Sequence, residues 1–285
     1  MIVDVNSLTY CYPKTQKAAL NKLTFGIQEG EIFGFLGPSG AGKSTTQKIL
    51  IGLLKEFEGE VKVFGRSLRD WKQDYYERVG ISFELPNHYL KLTALENLRY
   101  FSQLYKGPTA RPEDVLEQVG LSEDATKRVA EFSKGMKNRL NLARSLLHKP
   151  GLLFLDEPTS GLDPVNAKRV KDLIRQMQQA GTTIFLTTHA MSVAEDLCDR
   201  VAFLVEGEIK LIDSPRALRL EHGKRQIRVE YGSSDSRYEQ DFSLDDLGSN
   251  EGFLELLKHE RIQTIHTQET SLENIFIQVT GRQLA

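Results

Sequence analysis

Gly37-Pro38-Ser39-Gly40-Ala41-Gly42-Lys43-Ser44 decides how this chain is read. The octet fits the G-x-x-x-x-G-K-[ST] pattern, and it stands between the apolar run Ile32-Phe33-Gly34-Phe35-Leu36 and a helical stretch from Ser44 to Leu54. Glycines let the backbone wrap an anion with its N–H groups pointing inward, and the start of a helix adds a favourable dipole. In that setting Lys43 reaches the β and γ phosphates of a nucleotide and the Ser44 hydroxyl ligates Mg²⁺. A glycine-rich turn with an exposed lysine is the plainer account; a strand before and a helix after argue against it.

Downstream, Leu152-Leu153-Phe154-Leu155 reads as a buried strand that stops abruptly in Asp156-Glu157-Pro158. An acidic pair at the carboxyl end of a strand lies where open α/β sheets bind ligands. Asp156 can hold Mg²⁺ through its water shell, and Glu157 can polarise a water for attack on the γ phosphate. For the pair alone, a solvated strand end before a proline turn is the alternative.

Around these two stretches, short β-branched or aromatic runs alternate with helical patterns, as in an α/β protein. Strands are expected at Ile2 to Tyr10, Leu23 to Gln28, Glu31 to Leu36, Glu60 to Phe64, Val79 to Phe83, Leu152 to Leu155, Thr183 to Thr187, Val201 to Val205 and Glu208 to Ile212. Between Pro86 and Pro150 helical patterning replaces them, notably over Ala94 to Tyr105, Pro112 to Val119 and Gly135 to His148, which predicts an inserted helical subdomain. After Pro215 the texture changes to a helix-like Arg216 to Glu221, a strand-like Arg225 to Tyr231, a polar stretch, and then Glu251 to Lys258, Ile262 to His266 and Ser271 to Thr280. The division is therefore 1–215 and a small accessory αβ unit over 216–285, with the helical insert at about 86–150.

The 285 residues are roughly two domains' worth at about 150 residues each. Thirty-seven Lys and Arg against 39 Asp and Glu give a net charge of −2, with 40% hydrophobic and 27% charged residues, so disorder, collagen and supercharged tails are excluded. Near-neutral charge leaves no general electrostatic footprint for nucleic acid, and no nucleic-acid partner is expected. Two cysteines, Cys11 and Cys198, indicate a reducing compartment rather than a disulfide framework. No signal peptide is visible, and the longest apolar runs fall far short of the ~20 residues of a membrane helix.

With both stretches in place, about 215 residues resemble the nucleotide-binding subunit of an ATP-binding cassette (ABC) transporter. The resemblance implies a P-loop NTPase with an N-terminal antiparallel β subdomain, the helical insert and a small C-terminal α+β appendage. Its ATP site would take Gly37, Pro38, Ser39, Gly40, Ala41, Gly42, Lys43, Ser44 and Thr45, with Mg²⁺ on Ser44, Asp156 and Glu84 and the adenine ring stacked on Tyr12. Tyr10 is a neighbouring candidate for that ring, and a tyrosine at a strand end can equally be packing. Phe132-Ser133-Lys134-Gly135-Met136 resembles the family's contact loop, which implies that Ser133 and the Gly135 N–H meet the γ phosphate bound on a second subunit. Without the family it is a capped amphipathic helix. Ser160-Gly161-Leu162-Asp163 resembles the loop joining the two ATP sites, and His189 after Thr187-Thr188 resembles the switch histidine. Catalysis is thereby implied for Glu157, His189 and Lys43.

Two departures are informative: Glu84 stands where most members carry glutamine, and Lys134 and Met136 replace a glycine and a glutamine of the contact loop. Both look like the branch that drives bacterial drug, antibiotic and ion exporters, as does Ser271-Leu272-Glu273-Asn274-Ile275-Phe276 near the end. The expected function is ATP hydrolysis in a head-to-tail pair of cassettes, most simply a homodimer, powering a separate integral membrane permease. The expected place is the cytoplasm, peripheral on the inner face of the cell membrane. The segment from Leu85 to Tyr105, with Tyr89, Leu92, Leu95, Tyr100 and Phe101, is the candidate permease contact. A soluble ABC-type ATPase remodelling nucleic acid or ribosomes, or an importer cassette, are the alternative readings.

Overall fold

The computed structural model describes residues 1–13, 15, 17–223, 226–233, 236–268 and 270–282. They divide into two compact units, 1–213 and 214–282. The first opens with β1 (Val3–Tyr10) and β2 (Leu20–Ile27), continues through β3 (Ile32–Leu36), α1 (Lys43–Leu50), β4 (Glu58–Val63) and β5 (Arg66–Ser67), and reaches β6 (Val79–Ser82). Then come α2 (Ala94–Ser102), α3 (Pro112–Gln118), α4 (Lys134–Leu146), β7 (Leu152–Asp156), α5 (Pro164–Gln179), β8 (Thr183–Thr188), α6 (Met191–Leu197), β9 (Arg200–Val205) and β10 (Glu208–Asp213).

Two sheets form this unit, an antiparallel one ordered β2-β1-β4-β5 and a six-stranded one ordered β10-β9-β3-β8-β7-β6. The second is parallel from β9 to β6, with β10 antiparallel at its edge. Every residue of β3 and β8 is buried, as befits central parallel strands covered on both faces. The sheets share one core in which Phe25 stacks on Phe33 at 5.7 Å and Phe35 meets Phe185 at 5.2 Å. Because β3, β7 and β8 run side by side in the same direction, their carboxyl ends bring Leu36, Asp156 and Thr188 to one edge. Between β6 and β7 the described residues hold three helices, one 3-10 turn and one isolated bridge, Thr93 to Arg128, as the helical patterning predicts.

Several boundaries differ from the sequence reading for local reasons. Strand β2 begins at Leu20, not Leu23: a register shift near Leu8 and Tyr10 and a positive φ of 49° at Lys22 expose Asn21 and Lys22 and break the alternation. Helix α1 stops at Leu50 rather than Leu54, because Gly52 takes φ +76° and the Leu53 N–H returns to the Lys48 carbonyl at 2.9 Å, a left-handed helix ending. Helix α2 ends at Ser102, where Tyr105 was expected. Helices α5 and α6 occupy stretches to which the sequence reading gave no bounds.

The second unit holds α7 (Pro215–His222), β11 (Gln226–Ser233), β12 (Ser236–Ser243), α8 (Glu251–His259), β13 (Ile262–Thr267) and α9 (Leu272–Thr280). Ser214 caps α7 by accepting the Ala217 N–H at 3.1 Å and is the first residue of this unit. The expected strand start at Arg225 and the terminal residues Gln283 to Ala285 lie outside the described residues. The stretch read as merely polar is strand β12, paired antiparallel along β11 in a sheet ordered β12-β11-β13. One face packs Ile227, Val229 and Phe242 against Phe253 and Leu256 of α8; on the other, Arg228 forks onto Asp241 at 2.7 and 3.0 Å. Helix α7 packs on α9, whose Leu272, Ile275 and Phe276 are fully buried.

Candidate functional site

The loop from Gly37 to Gly42 leaves β3 and turns into α1, with its backbone closely packed at Gly37 and Gly42 and open at Gly40. Gly42 has φ +112°, and a Cβ there would come within 2.7 Å of Leu20 Cδ2 and 3.0 Å of the Ala19 carbonyl. Only glycine fits that conformation and that approach. Helix α1 then begins without a side-chain cap and without an acidic residue in its first turn, so its leading N–H groups are available to an anion. Lys43 Nζ donates back to the Gly37 and Pro38 carbonyls at 2.5 and 3.0 Å, holding an ammonium at the mouth of the loop.

Facing the loop are the ends of β7 and β8. Thr187 Oγ1 donates to Asp156 Oδ1 at 2.5 Å, and Thr188 Oγ1 donates to Glu157 Oε2 at 2.9 Å. The other Glu157 oxygen accepts the His189 backbone N–H at 2.8 Å and lies 2.6 Å from His189 Nδ1. Glu157 sits at φ +48°, a left-handed conformation rare for a side-chain-bearing residue and characteristic of strained functional positions. Burial raises the Asp156 pKa against the opposing Thr187 bond, and the neighbouring Glu157 and Glu84 carboxylates raise it further. Burial likewise lowers the Lys43 pKa, while Glu157, Asp156 and Glu84 pull it back up.

These groups line a cleft of about 400 Å³ whose walls include Tyr12, Ser39, Gly40, Gly42, Lys43, Ser44, Thr45, Glu84, Asp156, Glu157 and His189. Tyr12 is 36% exposed and hydrogen-bonds Thr45 Oγ1 at 3.0 Å, whereas Tyr10 is 6% exposed and lies in the core. Of the two aromatic candidates, then, Tyr12 is the one on the cleft. Ser44, Glu84 and Asp156 offer hard oxygen donors beside a phosphate-shaped loop, which suits Mg²⁺. Among the described residues no three His, Cys, Asp or Glu side chains close on one point. A magnesium ion completes its shell with phosphate oxygens and waters, so the donor set fits that ion.

Ser133, Gly135 and Asp163 do not line this cleft. Ser133 caps α4 by accepting the Met136 N–H at 3.2 Å, and Asp163 caps α5 by accepting the Val165 and Asn166 N–H groups. The Asn166 amide beside Asp163 holds its carboxyl below the usual carboxylate range. The two caps are neighbours: a Cβ on Gly135 would touch Leu162, and Asn138 Nδ2 donates to the Ser160 carbonyl at 2.9 Å. The sequence reading missed Thr187 and Thr188 as the hydroxyls that grip the acidic pair. Their signal is faint, two threonines following the apolar Ile184-Phe185-Leu186 in a strand that also begins with one.

Comparison with known proteins gives the family. A family model described as ABC transporter matches residues 20–160, and one described as fluoroquinolone efflux ABC transporter C-terminal domain matches residues 225–269. A fluoroquinolones export ATP-binding protein of Mycobacterium tuberculosis is 52% identical over 284 residues, covering 99% of this chain and 94% of that protein. A bacitracin transport ATP-binding protein of Bacillus licheniformis is 35% identical over 305 residues, covering 98% and 97%. Among solved structures, a dimeric ATP-binding cassette in a post-hydrolysis state bound to ADP and Pi superposes with a TM-score of 0.68 at 28% identity, covering 74% of this chain and 98% of that one. Glycine loop, acidic strand end and near-full-length relatives together place this chain in the family of ABC transporter ATP-binding subunits, which are ATPases.

Proposed function

We propose that this chain is the ATP-hydrolysing subunit of a drug exporter, driving a separate membrane-spanning permease through closure of a head-to-tail pair of cassettes. Fluoroquinolone-type compounds are the cargo favoured by the 52% identical relative and by the match to the C-terminal domain of fluoroquinolone efflux transporters. Residues 1–215 act as the cassette, with the helical insert at 86–150, and 216–285 as the accessory domain. No described helix is long and apolar enough to cross a membrane, so the pathway for cargo belongs to the permease. The subunit then works from the cytoplasm, held on the inner face of the membrane by that partner.

Within the cleft, the backbone N–H groups of Gly37 to Thr45, Pro38 excepted, and the Lys43 ammonium hold the phosphates, and Tyr12 takes the adenine ring. Ser44, Asp156 and Glu84 would hold Mg²⁺, which when bound neutralises charge on the phosphate oxygens. Glu157 accepts a proton from the attacking water, and His189, paired with Glu157, orients that carboxylate and reaches the γ phosphate.

The observation that carries the paired arrangement is the position of Ser133. It caps an exposed helix start outside the cleft of its own chain, so its implied contact with a γ phosphate has to come from a second molecule. The permease contact falls on the segment from Leu85 to Tyr105, where Tyr89 and Tyr100 are exposed, as are Leu85, Leu90 and Leu104, while Leu92, Leu95 and Phe101 are half-buried. Two measurements test the reading. Detergent extracts should yield this chain together with a polytopic membrane protein, and the Glu157→Gln chain should sediment as a dimer with Mg²⁺ and ATP. A soluble complex without a membrane protein, or a monomer at saturating ATP, would overturn it.

A further inference from the structure

Gln47 lies on α1 one turn beyond Ser44 and is 1% exposed, an uncharged polar side chain facing inward beside the apolar Ile49 and Leu50. Its Nε2 is buried and has no hydrogen-bond partner. A donor buried without a partner has lost its water and gained no bond in return, a cost that a nearby acceptor removes. The opposite end of the same amide, Oε1, lies 3.3 Å from Thr187 Oγ1.

Proton counting at Thr187 resolves the direction of that contact. The hydroxyl carries one hydrogen and has three acceptors in reach: Asp156 Oδ1 at 2.5 Å, the Leu155 carbonyl at 3.3 Å and Gln47 at 3.3 Å. The nearest acceptor is a carboxylate, and charge-assisted bonds are the stronger ones, so the hydrogen belongs to Asp156. Gln47 can then only donate. Half a turn of its terminal amide exchanges the two ends, presents N–H to the Thr187 oxygen and supplies the partner that Nε2 lacks.

We infer that Gln47 is a positioning residue for the Mg²⁺-holding carboxylate, donating to Thr187 and so committing the Thr187 proton to Asp156. This rests on the reading of Asp156 as a cation ligand. Asp156 Oδ1 is thereby fixed, and Oδ2, which accepts no hydrogen bond from the described residues, is left for the cation. Ser44 and Gln47 are three residues apart on α1 and share a face. The chain of bonds from Gln47 through Thr187 to Asp156 therefore ties the helix bearing one proposed ligand to the strand end bearing another, and keeps their spacing constant.

The experiment compares the affinity of the purified full-length chain for a fluorescent ATP analogue in Mg²⁺ and in EDTA. Gln47→Met keeps the length and removes the polar atoms; it is expected to leave the EDTA affinity unchanged and to shrink the Mg²⁺-dependent gain about tenfold, the usual scale when a partner that orients a metal ligand is lost. Thr187→Val should shrink the gain similarly, and the double variant no further than Thr187→Val alone, because both act through one hydroxyl. Gln47→Glu, which cannot donate when ionised, guards against an unstable methionine variant and should lose the gain as well. A folded Gln47 variant with the wild-type Mg²⁺ gain, or additive losses in the double variant, overturns the inference. A wild-type chain that gains nothing from Mg²⁺ overturns the reading of Asp156 itself and the inference with it.

Discussion

Glu157 Oε1 accepts the backbone N–H of His189 at 2.8 Å and lies 2.6 Å from the same residue's Nδ1, so main chain and ring of one residue grip a single carboxylate oxygen. Thr188 holds the other oxygen, and the left-handed backbone at Glu157 turns the side chain back toward β8. A carboxylate accepting from several donors at once is fixed in direction, which a base acting on one water requires. Glu157→Gln offers one acceptor oxygen in place of two and no basic site. Turnover should fall by about 10² or more while ATP affinity is retained. Steady-state hydrolysis and nucleotide titration on the purified variant check both, and unchanged hydrolysis would remove Glu157 from the role of base.

Lys43 stands between the glycine loop and three acidic side chains, Glu157, Asp156 and Glu84. Its ammonium is partly desolvated, so charge neutralisation of a phosphate there is stronger than in open water. Lys43→Ala should abolish the rise in melting temperature that saturating ATP gives the wild type, because stabilisation by a ligand follows its affinity for the folded state. An equal thermal shift in the variant would show that the loop does not rely on Lys43 for the nucleotide.

Two glycines of the same loop separate conformational strain from crowding. Gly40 has φ +79° with open space where a Cβ would go, whereas Gly42 has φ +112° with Leu20 and the Ala19 carbonyl in the way. Gly40→Ala should cost about 1 kcal/mol of folding free energy from backbone strain alone. Gly42→Ala adds overpacking against β2 and should cost about 3 kcal/mol, with loss of nucleotide binding. Urea denaturation of the two variants gives the comparison; equal losses would mean that the approach to Leu20 is relieved by a cheap shift.

What the sequence disclosed, and what it hid, follows from the range of the interactions involved. The glycine loop and the acidic strand end were legible because their chemistry is local: a fixed run of residues makes the cradle, and an apolar run ending in Asp156 makes the strand end. The all-buried strands β3 and β8, and β7 with its four buried apolar residues, were legible for the same reason. Strand β12 was not, since Gln240 opposite Val229 interrupts its alternation and the charged side chains on its other face are satisfied by cross-strand pairs with Arg228 and Glu230. The grip of Thr187 and Thr188 on the acidic pair was hidden as well. It depends on the register of β7 against β8, which sets Asp156 opposite Thr187 and is a property of the folded sheet.

His88 supplies a prediction on pH. Its Nε2 lies 2.9 Å from the Lys137 carbonyl, so that nitrogen carries the proton, while Nδ1 is buried without a partner. Protonating Nδ1 would place a charge in a buried site with the cationic Arg144 and Lys137 nearby, and burial first, then these cations, push the pKa down to about 4. In the unfolded chain the same imidazole titrates near 6.5. Below that pH the unfolded state binds a proton that the folded state refuses, so stability is fully present above about 6.5 and declines as the pH falls toward about 4, by on the order of 2 kcal/mol. His148, also lowered by burial and held by the Val79 carbonyl, adds a decline of the same sign. His88→Gln keeps a donor for Lys137 and cannot titrate; its unfolding free energy, measured in urea at pH 7, 5.5 and 4.5, should fall less steeply than that of the wild type, and parallel curves would show that His88 takes its proton freely in the fold.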